Sequence, residues 1–484
     1  MNKKLNITLI TIASVLRLLF IWRAPLWYDE NFSWLLSRLP LKNMLVATGA
    51  DVHPPLHYLT IWPLGQIPNA PAWIIRLPSA LFSILALIVF WRILQDTVSN
   101  PTVRMGALIM MAIAPVQIYY AQEGRMYALL ELTILCCFWA LLSPRTRWVV
   151  LALSLVAMLY TQNYALFYIP CLLVAWVFRR PDYRKEIFFV LQVVFLAFLA
   201  WLPWAMIMVG QMNGIHGTHW IPVPSLEDSM AILFRFLFMA PGLATSKMLE
   251  AVVFYGWLTF AILWCLRQKI SARWMGMMLI LAFGPFLLAL MASWLWQPIL
   301  LDRPLIGSSP WLYILLVSPT EWVLQKRIRW LFAAMLIAPP LIANLASIYL
   351  YGAIEKVAEA KTLTVLKTIE QNWKPGDIIY HQSDTSWVDM TSYATHPEDH
   401  YRMVPCGVIS GGLTPITRTA MGMQVSPLSD LELQRAWVIS VETPLDPPCE
   451  AAYLKGFIQN IQPMICYTDD KGGDSCVYLV KKQP

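Results

Sequence analysis

Residues 187 to 209 and 274 to 301 contain no Lys, Arg, Asp or Glu, and each run exceeds the roughly 20 residues that a helix needs to cross about 30 Å of hydrocarbon. In lipid such a run has to pair every backbone N–H and C=O within itself, so it folds as a helix. Comparable runs recur up to residue 350. About eleven spans are expected on this length criterion, near 5–22, 73–91, 105–120, 126–142, 148–161, 164–178, 187–209, 248–266, 274–296, 305–318 and 330–350. With 58% of 484 residues hydrophobic and 13% charged, the composition agrees, and the helical run lengths argue against a barrel. The fold class is a polytopic α-helical membrane protein whose spans keep acid out.

Orientation follows from Lys and Arg in the connections. One side holds Lys3, Lys4, Arg92, Arg104, Arg145, Arg147, Arg179, Arg180, Arg184, Lys185, Arg267, Lys269, Arg273, Lys326, Arg327 and Arg329. The other holds half as many, spread over longer loops. The first side is therefore expected in the cytoplasm, with a plasma (inner) membrane as the setting. The first apolar run, which carries Arg17 and lacks a small-residue cleavage pattern, is expected to stay as an anchor with its start cytoplasmic. The net charge of +7 reflects this bias and implies no nucleic-acid partner.

Residues 1–350 form the expected transmembrane domain, with interfacial helices in the outer loops 23–72 and 210–247. Within these loops, 32–46, 56–64 and 230–239 have amphipathic helical character. Residues 351–484 change to the composition of a soluble α/β domain on the outer face. There 354–372 reads as a helix, ended by Lys374-Pro375-Gly376-Asp377, while 378–381, 435–441, 464–467 and 476–480 read as strands. Cys466 and Cys476 flank the last turn and are the first disulfide pairing to consider. Cys406 and Cys449 complete the set, and free thiols are the alternative.

Asp29 and Glu30 stand together in Trp27-Tyr28-Asp29-Glu30-Asn31, directly after the first span. Carboxylates near lipid lose hydration and need cationic, metal or hydrogen-bonding partners. Neighbours on a helix point about 100° apart, so the two should differ in role: one faces a substrate as base, the other turns back to hold an Arg, a helix end or a metal. Arg17 lies within a span and should find a carboxylate or reach the outer surface. Arg76 should cap or anchor the second span. His53 and His57, one helical turn apart with Asp51 nearby, offer either a divalent-metal pair completed by Asp29 or Glu30, or hydrogen-bonded structural residues. His216 and His219 are a second such pair.

Taken in order, Trp27 to Asn31, then His53-Pro54-Pro55-Leu56-His57-Tyr58, Ile75-Arg76-Leu77-Pro78, Tyr119-Tyr120-Ala121-Gln122-Glu123-Gly124-Arg125-Met126-Tyr127 and Asp302-Arg303 resemble the C-type membrane glycosyltransferases, especially the protein O-mannosyltransferase and lipid A aminoarabinose transferase group. The resemblance covers most of residues 1–350. Where the family often has Arg followed by Tyr, this chain has Arg303-Pro304.

The resemblance implies inverting transfer of a sugar from a polyprenyl-phosphate-linked donor to an acceptor outside the membrane: a protein hydroxyl, lipid A or a cell-wall glycan. Asp29 would be the general base, with Glu30 beside it as the second catalytic carboxylate. Arg125 and Arg303 would meet the donor phosphate. Glu123, His53 and His57 would support the site, and Tyr28 and Tyr58 would offer a sugar-binding face. No cofactor is implied beyond the divalent metal already raised. A lipid-linked-sugar flippase or secondary transporter, and an oligosaccharide transferase using a pyrophosphate carrier, remain the alternatives.

Overall fold

Proline and the lengths of the apolar runs decide where the helices start and stop. The computed structural model describes residues 3–179, 182–215, 221–236, 247–267, 271–319, 338, 341–342, 355–381, 383–402, 413–425, 435–440, 465–468 and 474–481. The helices up to residue 317 are α1 (Lys3–Leu18), α2 (Tyr28–Arg38), α3 (Leu41–Ala50), α4 (Leu56–Gly65), α5 (Arg76–Thr97), α6 (Pro101–Ile113), α7 (Pro115–Ala121), α8 (Tyr127–Leu141), α9 (Trp148–Thr161), α10 (Ala165–Arg179), α11 (Ile187–Ile215), α12 (Leu226–Arg235), α13 (Lys247–Arg267), α14 (Ala272–Leu295) and α15 (Ser309–Val317). α6 shows the local logic: Pro101 needs no donor at the first helical position, while the Asn100 side chain accepts from Thr102 N at 2.8 Å and Val103 N at 3.2 Å.

Among the described residues three helical stretches are long and apolar enough to cross a membrane alone: Ala72–Thr97, Ile187–Met212 and Ala272–Leu295. The run expected as one span at 105–120 is broken into α6 and α7, bent by 48°, and the pair would make a fourth. α8, α9 and α10 are shorter apolar helices. Of the span expected at 330–350, only Ala338, Leu341 and Ile342 lie among the described residues.

Two expectations about charge within the spans are corrected. Arg17 is 0% exposed and forms no ion pair among the described residues, where Glu131 acts on it only at longer range; its Nε donates to Ser83 Oγ at 2.8 Å and its Nη atoms to the carbonyls of Ala13 (3.0 Å), Met111 (2.9 Å) and Ala112 (3.2 Å). The cause is the α6–α7 break: Pro115 has no N–H, so the Met111 carbonyl loses its helical donor, and the guanidinium replaces it. Acid is not kept out of the spans either. Glu131, fully buried on α8, accepts from Gln117 Nε2 at 2.6 Å, and the same nitrogen also donates to Ser309 Oγ at 2.9 Å.

The 22 residues of α5 extend about 33 Å at 1.5 Å per residue. At its start Arg76 meets Glu30. Near its far end Asp96 lies 3.9 Å from Arg147, the Asp96 carbonyl accepts from Arg179 Nη2 at 2.8 Å, and Arg145 donates to the Lys185 carbonyl at 2.8 Å. Basic connections that the charge count groups together therefore converge at one end of the bundle, and the acidic pair sits at the other.

The helix expected over 32–46 is instead two, α2 and α3, because Pro40 breaks the run. The surface helix expected at 230–239 is α12, a few residues earlier.

The C-terminal region begins with α16 (Glu355–Asn372), followed by β1 (Ile378–His381), α17 (Asp384–Thr391), β2 (His400–Arg402), α18 (Pro415–Ala420), β3 (Gln424–Val425), β4 (Arg435–Ser440), β5 (Ile465–Thr468) and β6 (Asp474–Lys481). One sheet has the order β3-β2-β1-β4-β6-β5. Its first four strands run parallel, and β6 pairs antiparallel with both β4 and β5. β2 and β3 are too short to show an alternation in sequence. Gly376, with φ of +90°, makes the turn between α16 and β1 that the Pro-Gly pair predicts. Cys466 and Cys476 are register partners across β5 and β6, while Cys406 and Cys449 lie outside the described residues, as do His216 and His219.

Candidate active site

α2 begins with Tyr28, Asp29 and Glu30 in its first turn, where the unpaired N–H groups of a helix favour negative charge. The two carboxylates then diverge. Glu30 is 1% exposed, and its oxygens accept from Arg76 Nε at 2.7 Å and Arg76 Nη2 at 2.5 Å, from Gly124 N at 2.7 Å, and from Trp27 N at 3.4 Å. Arg76 spends its remaining donors on the carbonyls of Ile21 (2.9 Å), Ala24 (2.8 Å) and Pro25 (2.9 Å). Arg76 thus joins the end of the first span to the start of α5. Glu30, expected beside Asp29 as a catalytic group, is enclosed by these partners and faces no solvent.

Asp29 keeps 26% of its side chain exposed; its Oδ2 lies 3.1 Å from Arg303 Nη1 and 3.8 Å from Arg125 Nη2. Arg125 is 3% exposed, donates to the Asp29 carbonyl at 3.1 Å and to Ser33 Oγ at 3.0 Å, and its own carbonyl accepts from Ser79 Oγ at 3.1 Å. Burial disfavours its charge, yet the Asp29 carboxylate beside it more than compensates, so the guanidinium stays charged.

Arg303 rests over the Trp27 ring at 4.6 Å. Its backbone N–H donates to Asp302 Oδ1 at 2.9 Å, and Pro304 follows in the first turn of a 3-10 helix, Arg303–Ser308, where a missing N–H costs nothing. The departure from Arg-Tyr to Arg-Pro is accommodated in this way. The preceding loop is fixed on α14 and on the turn before α10: Ser293 Oγ accepts from Ile299 N at 3.0 Å and Leu300 N at 2.9 Å, and Tyr164 Oη accepts from Leu301 N at 3.0 Å.

Glu123 is 3% exposed, and neither carboxylate oxygen has a hydrogen-bond partner among the described residues. Burial pushes its carboxyl up to about 8 against the pull of Arg303, with Glu30 adding repulsion. Asp51, at the end of α3, is likewise pushed up to about 6 by burial, opposed by Arg125. Three carboxyl groups thus share the field of two guanidiniums.

His57 Nε2 donates to the Gly124 carbonyl at 3.0 Å, and burial together with Arg125 lowers its pKa to about 3, so it stays neutral. His53 is also held neutral by burial, and its Nδ1 has no partner among the described residues. The two histidines do not converge with Asp29 or Glu30 as metal ligands. The one described His and acid group with ligand atoms within 4.8 Å of one another is His396, Glu398 and Asp399 in the C-terminal region. Tyr58 is 0% exposed, with its ring edge-on to Phe32 at 6.5 Å, so it packs in the core and presents no face to a sugar. Tyr28 is half-buried at the start of α2.

The structure therefore brings together Asp29, Arg303 and the Glu123/Arg125 pair from three distant segments. Sequence reasoning gave Arg76 a capping or anchoring role without its partner Glu30, and placed Asp51 only beside the two histidines, not in the field of Arg125. It also missed Asp389, whose Oδ1 accepts from Asn31 Nδ2 at 2.9 Å and for which the sequence carries no motif.

The family model described as dolichyl-phosphate-mannose-protein mannosyltransferase matches residues 52–206. No curated protein matches the chain by sequence. Among solved structures, ArnT from Cupriavidus metallidurans in the apo state aligns with TM-score 0.62 and 14% identity, covering 98% of each chain. The same protein bound to undecaprenyl phosphate aligns with TM-score 0.58 and 13% identity over 99% of this chain and 98% of that one. The arabinofuranosyltransferase AftD from Mycobacteria aligns with TM-score 0.51 and 14% identity, over all of this chain and 40% of that one. The chain shares its fold with the membrane glycosyltransferases ArnT and AftD and, over residues 52–206, resembles the dolichyl-phosphate-mannose-protein mannosyltransferase family.

Proposed function

We propose that the protein is a membrane glycosyltransferase that moves a sugar from a polyprenyl-phosphate-linked donor to an acceptor at the outer face of the membrane, with inversion and with Asp29 as general base. The observation that carries this reading is the placement of a partly exposed carboxylate against two guanidiniums, at the end of the bundle opposite the basic loops. The acceptor oxygen attacks the anomeric carbon while Asp29 takes its proton. The bond from that carbon to the phosphate oxygen breaks, and polyprenyl phosphate leaves with the electron pair. Arg125 and Arg303 stabilise the charge growing on the phosphate. Glu30 positions the loop through Arg76 and Gly124.

About eleven passes, counted on hydrophobic length, put the start of the chain in the cytoplasm and the soluble domain outside. Undecaprenyl phosphate bound to ArnT supports a polyprenyl-phosphate carrier in preference to a pyrophosphate one. A transporter would place its main polar groups in the middle of the membrane, whereas here Asp29, Arg125 and Arg303 gather at one end, and the polar groups within the bundle bond one another: Arg17 donates to carbonyls and Ser83, and Glu131 accepts from Gln117.

Without donor, Asp29 occupies the guanidiniums that the phosphate needs. Asp29→Asn should abolish transfer of radiolabelled sugar in reconstituted membranes while polyprenyl phosphate binds at least as tightly as to wild type. Retained turnover would remove Asp29 from the base role, and weakened lipid-phosphate binding would remove the competition.

A further inference from the structure

α2 is gripped on two faces. Asp29 and Asn31 are two residues apart on a helix, so they point about 200° apart, and while Asp29 meets Arg303 and Arg125, Asn31 faces the soluble domain. Asn31 is 1% exposed and divides its amide hydrogens between the Leu26 carbonyl at 3.0 Å and Asp389 Oδ1 at 2.9 Å. Just before α2, the Leu26 N–H donates to Tyr393 Oη at 2.7 Å. Trp387 and Val388 of α17 join Leu26, Phe32 and Trp34 in one hydrophobic cluster.

We infer that Asp389 and Tyr393 are positioning residues: through Asn31 and the Leu26 N–H they clamp the first turn of α2, so that the soluble domain sets the placement of Asp29 and is a working part of the site. Its catalytic consequence rests on the reading of Asp29 as base. A helix turn held on one side by an ion pair and unsupported on the other would let Asp29 swing, and a misplacement of about 1 Å can cost on the order of 100-fold in rate. Arg125 and Arg303 lie on segments the clamp does not touch.

The test uses the full-length protein in reconstituted membranes. Asp389→Ala and the nearly isosteric Tyr393→Phe should lower kcat for sugar transfer about 10-fold or more with donor KM within about twofold. Asp389→Asn, which still offers Asn31 an acceptor oxygen, should restore kcat. Hydrogen exchange at amides 27–33 should speed up in the first two variants and not in the third, a readout that needs no enzymatic turnover. Wild-type exchange and kcat in both Asp389→Ala and Tyr393→Phe would overturn the clamp, as would a change confined to donor KM. If wild type transfers nothing from any donor yet exchange rises in the variants, the clamp stands and the glycosyltransferase reading fails.

Discussion

Two fully buried arginines show how differently a guanidinium can be stabilised. Arg76 is neutralised by Glu30, and removing either partner would leave an uncompensated charge, typically destabilising by about 3–5 kcal/mol. Arg17 forms no ion pair among the described residues; its hydrogen bonds go to three carbonyls and a hydroxyl, and its planar fork suits that geometry where a Lys would not. Both residues were visible in sequence, but the partners that decide their roles lie 46 and 94 residues away. Glu123 is the opposite case, a buried carboxyl with no hydrogen bond among the described residues. Its folded pKa of about 8 stands above the ordinary carboxyl value of 4.5, so its favourable contribution is complete below about 4.5 and is lost as pH rises through about 8. Glu123→Gln should therefore match wild-type stability at pH 4 and exceed it at pH 8.5 by on the order of a few kcal/mol. Detergent-solubilised melts at the two pH values would show it, and equal melting at pH 8.5 would contradict it.

Among the elements, α2 matters most to the site, and its placement depends on neighbours that leave no room. A Cβ at Gly65, in the last turn of α4, would collide with the backbone carbonyl and side chain of Ser37 on α2. Gly65→Ala should push the two helices apart, costing about 1–3 kcal/mol, and lower sugar transfer by moving the helix that carries Asp29. An unchanged melting point and rate would show that the contact relaxes freely. A Cβ at Gly124 would lie 2.8 Å from Ile75 Cγ1, so the loop carrying Glu123 and Arg125 also approaches too closely for any side chain. The breaks at Pro40 and Pro115 were present in sequence but were read through, because apolar runs on either side looked continuous. Proline's missing N–H outweighs that pattern.

For the whole molecule, the charge bias predicts which loops share a side, and the contacts among Asp96, Arg147 and Arg179 join loops from the basic group. The assignment of sides is testable. In a background without other accessible thiols, Thr395→Cys in the C-terminal region should react with a membrane-impermeant thiol reagent in intact cells, while Arg145→Cys should react only after permeabilisation. The reverse pattern would invert the topology and remove the site from the outer face.

Hydropathy, charge bias and motif order determined by themselves that the chain is a helical membrane protein with a C-terminal α/β region, and which polar residues to suspect. These features are local or additive along the chain, set by helix length against bilayer thickness and by charges summed over loops. Only the tertiary structure decided that Glu30 is spent on Arg76 while Asp29 meets Arg125 and Arg303, that Tyr58 belongs to the core, and that Asp389 reaches Asn31 from 358 residues away. Adjacent carboxylates look alike in sequence; the difference between them comes from which guanidinium each can reach once distant segments are packed, and packing is not encoded by spacing along the chain.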